Sequence, residues 1–347
     1  MSISRRRVMG GGLLLNYAQV TQLSSGGRVL QCSLDGRYIV GAVNNRGRIF
    51  LSENDAISLT LELGSQMQYI NYISIAPDGA FILAAHRYGT GGSGSSIYTP
   101  SGATWMWHGG LSMDQDVEHT RFVIPRNYRY IMTEPGGYAS DEDKQWYAAY
   151  ELNTHMSPWG FSPAGHIYED LGEGAWIETY NACVNRDMSY IVSVGSNSIS
   201  LYSFPVGQNR VQYLSSLYYN YINIHNTCCD DLAENIFCAA TDYFGRTNPV
   251  LLHFKRTGSS ISLINTISLS SVVNNGYPRV CCSRDGKRVF VFLRPQFLFF
   301  HKMELKQSIN LSGSSMDSDS ICCDEKGENV YVGLGATSIN HFRATKI

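Results

Sequence analysis

Nine histidines are the chain's natural general acids and bases, at positions 86, 108, 119, 155, 166, 225, 253, 301 and 341, and they are spread along the sequence rather than clustered. His253 and His301 lie inside apolar runs, where a hydrogen-bonded structural role is the expectation. The sequence has no His-Glu-x-x-His, no Walker loop, no Gly-x-Ser-x-Gly and no zinc-ligand spacing. Gly89-Thr90-Gly91-Gly92-Ser93-Gly94 has some Gly-x-Gly spacing, but it opens no helix and reads as a loop rather than a phosphate cradle. No catalytic residue, metal ligand or cofactor is assigned, and the chain is read as a non-enzymatic protein.

Side chains suited to binding are distributed less evenly. All five tryptophans, Trp105, Trp107, Trp146, Trp159 and Trp176, fall between positions 105 and 176. Acidic groups accompany them: Asp114, Asp116 and Glu118 alternate, while Asp141, Glu142 and Asp143 are consecutive. Oxygen-rich loops of this kind can hold calcium, but neither has the glycine and full ligand set of an EF-hand, so solvated loops are expected. Aromatic rings beside carboxylates can instead stack on a sugar or anchor a protein. The residues expected to do so are Tyr88, Tyr138, Trp146, Tyr243, Phe244, Asp114, Asp116 and Asp141.

Nine cysteines complete the reactive inventory, six of them in the vicinal pairs Cys228-Cys229, Cys281-Cys282 and Cys322-Cys323. Neighbours on a strand point to opposite faces, so such a pair is poorly placed to close on itself. The odd count and the lack of a Cys-x-x-Cys favour neither a disulfide framework nor a zinc ribbon. Small buried hydrophobes are the expectation, in a protein made in a reducing cytoplasm.

What positions these groups is a repeat. A short apolar run, a turn marked by Asp or Gly and a second apolar run recur seven times, with equivalent positions at Gly36, Gly79, Tyr128, Met188, Ala233, Gly286 and Gly327. Each interval of 41 to 60 residues holds about four short strands, which is the period of a β-propeller blade. In the first repeat the strands are expected near Val29–Leu34, Arg37–Val43, Gly47–Ser52 and Ile57–Leu63, and in the fifth near Ile222–Cys229, Asn235–Thr241, Val250–Lys255 and Ile261–Leu269. The seventh repeat ends without a fourth strand, and residues 16–25 resemble the fourth strands elsewhere. The expected fold is therefore all-β, a seven-bladed β-propeller closed by the N-terminal strand completing the last blade. Residues 1–12 would form a basic arm and 13–347 a single domain. Three of the longest connections, 87–95, 109–118 and 134–144, would then emerge on one face, where rigid scaffolds carry their binding loops.

The Asp-Gly turns at Asp35-Gly36, Asp78-Gly79 and Asp285-Gly286 resemble those of WD-repeat, YVTN-type and TolB-like propellers. That likeness implies a shape shared by scaffolds, sugar or peptide binders and some enzymes. The opening Met-Ser-Ile-Ser-Arg-Arg-Arg-Val-Met-Gly-Gly-Gly is similar to the starts of some structural proteins of tailed phages. It implies an assembly arm in which Arg5, Arg6 and Arg7 dock an acidic partner. The apolar stretch after it gives way at once to Asn16, Gln19 and Thr21, so no cleaved leader is expected.

With 27 basic and 29 acidic side chains the formal charge is -2, which excludes a whole-surface field for nucleic acid or anionic membrane. The expected partner is a protein in an assembly, such as a virion, with a surface glycan as the alternative. A propeller hydrolase or lyase is the third reading.

Overall fold

In the computed structural model the described residues are 15–23, 28–43, 46–54, 56–63, 68–88, 93–101, 104–112, 121–125, 130–134, 147–153, 160–167, 181–195, 198–204, 212–219, 222–242, 247–269, 277–311, 320–335 and 338–346, some by backbone alone. They form strands and no helix. The first sheet comprises β2 (Arg28–Cys32), β3 (Tyr38–Val43), β4 (Arg46–Glu53) and β5 (Ala56–Leu63). The second holds β6 (Gln68–Ile75), β7 (Ile82–Tyr88), β8 (Ser93–Ser101) and β9 (Thr104–Ser112), and the third β10 (Arg121–Val123), β11 (Tyr130–Glu134), β12 (Tyr147–Asn153) and β13 (Gly160–Ile167). The fourth is β14 (Asn181–Val184), β15 (Tyr190–Val194), β16 (Ser198–Ser203) and β17 (Gln212–Tyr218). The fifth is β18 (Ile222–Cys229), β19 (Asn235–Asp242), β20 (Val250–Thr257) and β21 (Ser260–Ser268). The sixth is β22 (Arg279–Cys282), β23 (Arg288–Leu293), β24 (Gln296–His301) and β25 (Glu304–Asn310). The seventh is β26 (Ser320–Cys323), β27 (Asn329–Leu334) and β28 (Ser338–Lys346), with β1 (Leu15–Leu23) outside β28. In the first and fifth sheets the strands match their expected positions to within two residues.

The first strands of successive sheets lie side by side: β2 against β6, β6 against β10, β10 against β14, β14 against β18, β18 against β22 and β22 against β26. β26 in turn lies against β2, so the order of neighbours returns to its start. This all-β arrangement is compatible with a propeller-like fold.

The middle strands read as continuous apolar runs because both of their faces are covered. Alternate residues feed different interfaces. Ile39 joins Tyr331 and Ile339 of the seventh sheet, whereas its neighbour Val40 joins Ile73 and Ile82 of the second. Phe290 likewise packs with Phe342 and Val330, and Val291 with Phe237 and Leu251. A single middle strand thus glues its sheet to both neighbours.

The repeated turn joins the first two strands of each sheet. At Gly36, Gly79, Met188, Ala233, Gly286 and Gly327 φ lies between +50° and +74°, and each of these N–H groups donates to the carbonyl three residues earlier. This is a tight turn followed by a left-handed residue, the conformation glycine adopts without steric cost. Two polar solutions hold it. In Ser33-x-Asp35 and Ser283-x-Asp285 the serine hydroxyl donates to the aspartate and accepts the N–H of Tyr38 or Arg288. In Asp230 and Asp324 the carboxylate itself accepts three and two backbone N–H groups respectively, and an asparagine amide from Asn235 or Asn329. The counterpart at Tyr128 lies outside the described residues.

β1 occupies the place of an outer strand in detail. It pairs antiparallel with β28, from Leu15 opposite Lys346 to Leu23 opposite Ile339. The outer ladders of the other sheets each carry one irregularity, for example opposite Ile49/Phe50, Leu201/Tyr202 and His253/Phe254, and β1 carries one at Val20, opposite His341/Phe342. Tyr17 anchors the strand: its ring is 2% exposed and edge-on to Phe290 and Phe299, and its hydroxyl donates to the Gly327 carbonyl. The Gln307 side chain bonds both the N–H and the carbonyl of Tyr17, at 2.7 and 2.9 Å.

Candidate functional site

Most residues expected to bind lie outside the described set: Tyr138, Trp146, Tyr243, Phe244, Asp114, Asp116, Asp141 and the arm residues Arg5, Arg6 and Arg7. Tyr88 is the last residue of β7, described by its backbone alone. The pairing of Arg87 with Ser93 and of Gly94 with Ser112 puts the ends of β7 and β9 and the start of β8 at one end of the second sheet. The Asp78-Gly79 turn closes the other end. Of the two tryptophans on β9, Trp105 is 8% exposed and packs edge-on to Tyr38. Trp107 is 61% exposed, beside Met106 at 51%, so of the two Trp105 packs into a sheet junction and Trp107 does not.

At the turn end the sequence analysis missed a regular feature. Two residues before each left-handed position stand Leu34, Pro77, Arg186, Asp231, Arg284 and Glu325. Their backbones pass hydrogen bonds from sheet to sheet. Arg186 N–H donates to Asp231, Asp231 to Arg284, Arg284 to Glu325, Glu325 to Leu34 and Leu34 to Pro77, at 2.6 to 3.0 Å. Pro77 has no N–H, so the relay cannot continue beyond it in that direction. The side chains add charge of alternating sign, and Arg284 bridges Asp231 on one side and Glu325 on the other, the latter at 3.5 Å.

The histidines with described surroundings are tied into strands. His253 meets Asn235 at 3.1 Å, and Asn235 donates to Asp230. His341, Asn329 and Asp324 repeat the arrangement at 3.0 and 2.7 Å. An acid, an intermediate and an imidazole in line suggest a proton relay, but the interposed amide has no titratable proton to pass. Both rings stack on aromatics, Phe237 and Tyr331. Burial pulls His253 below the usual imidazole range, and burial likewise lowers His86. Burial raises Asp324 despite its Asn329 and backbone donors. Among the described residues no group of three or more His, Cys, Asp and Glu is placed to hold a metal ion.

The cysteines pack in or against apolar clusters as small hydrophobes, as expected. All nine are free, and only Cys238 and Cys322 are buried outright. Thiols of neighbouring sheets interact electrostatically in pairs: Cys183 with Cys229, Cys228 with Cys282, Cys281 with Cys323 and Cys322 with Cys32. Cys229 also meets the Val184 carbonyl at 3.4 Å and Cys323 the Cys282 carbonyl at 3.2 Å, each across a sheet junction. The partner thiol first and burial second raise Cys32 and Cys229; burial first and the partner thiol second raise Cys228 and Cys281. They remain protonated at neutral pH. The vicinal spacing now has a cause: on a first strand, adjacent side chains point to opposite faces, so each Cys-Cys supplies one thiol to each neighbouring sheet.

No family model and no curated protein matches this chain.

Proposed function

We propose that the chain is a seven-bladed β-propeller, its ring closed by β1, and that it serves as a non-enzymatic docking module for a protein partner in a larger assembly. The exposed Trp107–Met106 pair on β9 carries this reading. Trp and Met are enriched at protein interfaces, and a large indole on an outer strand offers a partner both apolar area and an N–H donor. The engagement of His253 and His341 in structural chains supports a docking role over a hydrolase or lyase. The resemblance of the first twelve residues makes a tailed-phage particle, assembled in a reducing cytoplasm, the first assembly to try.

Co-sedimentation of the purified protein with isolated particles, or native mass spectrometry of the complex, tests the reading. The Trp107→Ala/Met106→Ala variant should keep its thermal midpoint and lose at least about tenfold in association, since central Trp anchors typically cost more than 1 kcal/mol. Undiminished association would remove the reading. A surface glycan is the second candidate, favoured by the same exposed indole. Glycan-array binding that Tyr138→Ala and Trp146→Ala abolish would replace the protein partner with a carbohydrate.

A further inference from the structure

Eight of the nine cysteines fall into four cross-sheet pairs, and the pairing follows one rule. The thiol five residues before the left-handed position of one sheet meets the thiol four residues before that of the next. Packing alone does not ask for this. At the junction of the third and fourth sheets the same two positions hold Val123 and Val184, which share one apolar cluster. A thiol opposite a thiol, four times in succession, supplies what valine cannot: a bond that forms on loss of two hydrogens.

The geometry favours that bond. The members of each pair sit on first strands that lie side by side, β14 and β18, β18 and β22, β22 and β26, and β26 and β2. Cys229 Sγ lies 3.4 Å from the Val184 carbonyl, next to Cys183, and Cys323 Sγ lies 3.2 Å from the Cys282 carbonyl, next to Cys281, and the other two pairs occupy the same positions of the repeat. Seven of the eight residues are partly exposed, Cys322 being the one buried outright.

We propose that these four pairs are oxidative crosslinking sites, at which exchange with a small-molecule disulfide joins Cys183 to Cys229, Cys228 to Cys282, Cys281 to Cys323 and Cys322 to Cys32. At each site one thiol, after losing its proton, attacks the reagent's S–S bond, forms a mixed disulfide and releases one reagent thiol. The facing thiol then loses its proton, attacks the protein-bound sulfur and displaces the second. Two protein thiols are oxidised, one reagent disulfide is reduced, and the two protons leave on the two reagent thiols. The fourth, fifth, sixth, seventh and first sheets become covalently continuous. A protein assembled with free thiols would thus be locked on entering oxidising surroundings. Cys238, which bonds Thr227 rather than a thiol, stands outside the scheme and serves as an internal control.

The test is a free-thiol count on the denatured full-length protein before and after native incubation with 2-hydroxyethyl disulfide, with mass mapping of the links. The expected count falls from nine, the number of cysteines, to one, with the four named links present. The thermal midpoint should rise and return on reduction with dithiothreitol. A count that stays at nine, stable adducts of the reagent, vicinal links or links between chains would each overturn the proposal. In Cys322→Ser the oxidised protein should keep two thiols, Cys32 and Cys238, and in Cys238→Ser none. The wild-type count decides the matter even where a variant does not fold.

Discussion

Passing from the fourth sheet through the seventh to the first, every junction has two facing thiols, and the three sheets after the fourth each add a backbone hydrogen bond received from the one before. From the first sheet through the third and back to the fourth, the same positions hold Gln31 and Ile75, Ser74 and Ile124, and Val123 and Val184, and Pro77 ends the hydrogen-bond relay. Among the described turns the charged residues Arg186, Asp231, Arg284 and Glu325 lie on the thiol side, and Leu34 and Pro77 belong to the first and second sheets. One repeat architecture therefore carries two kinds of junction, one with facing thiols and one without, and the hydrogen-bond relay runs from the fourth sheet round to the second. All five tryptophans fall between positions 105 and 176, and the two that are described, Trp105 and Trp107, lie on β9 of the second sheet.

The largest effect should come from the anchor of the closing strand. Tyr17→Ala removes a buried ring wedged among Phe290, Phe297 and Phe299 and should cost about 4 kcal/mol in chemical denaturation. Deleting the first 25 residues should lower the thermal midpoint by many degrees, and a shortened chain as stable as the whole would dissolve the contrast at its strongest point.

Next come two glycines, one on each arc. A methyl group at Gly327 would meet the Phe290 ring at 3.0 Å, and one at Gly79 would meet the Tyr38 ring at the same distance, both at positive φ. Phe290 is fully buried and cannot yield, whereas Tyr38 is half-buried and can. Gly327→Ala should therefore cost about 3 kcal/mol and Gly79→Ala about 1.5, the left-handed backbone supplying about 1 in each. Equal losses would mean that the two arcs are packed alike.

The thiol rule can be extended across its boundary. Gln31→Cys with Ile75→Cys places thiols at the matching positions of the first and second sheets, and the oxidised protein should show one further cross-sheet link by mass mapping. A smaller change is expected at the turn end, where Arg284→Ala removes a bridge between two partly exposed carboxylates and should cost about 1 kcal/mol, less at high salt.

The smallest effect is one of pH. Burial would push Asp285 up, but the Ser283 hydroxyl, the Lys287 N–H and the Lys287 charge outweigh it and hold the carboxyl below its ordinary value. A carboxyl depressed in the folded state contributes stability above its unfolded value, near 4, and loses it as pH falls through the folded one. The stability difference between the wild type and Asp285→Asn should thus shrink between pH 6 and about pH 3. Asp324, raised by burial, should respond with the opposite sign.

Much of this architecture was legible because turns and strands are local. The positions aligned as Gly36 and its counterparts prove to be left-handed wherever they are described, even at Met188 and Ala233, where no glycine marks them. The outer-strand role of residues 16–25 followed from their likeness to 264–271 and from a repeat that lacked its last strand. The cross-sheet thiols were not legible. A vicinal pair reports which faces its side chains take but not what the neighbouring sheet presents there, and that depends on a register between strands remote in sequence. Trp107 likewise could not be separated from Trp105, since both lie on the same strand two residues apart, and it is the packing of Trp105 on Tyr38 of the first sheet that distinguishes their surroundings.

The pairing of β1 with β28 imposes an order of events during synthesis. The Thr345 hydroxyl and the Asn16 carbonyl it binds are 329 residues apart, so β1 has no partner until all the residues between them have left the ribosome. Until then a nascent chain carries an unpaired, partly apolar edge, a hazard for aggregation and a natural point of intervention for chaperones.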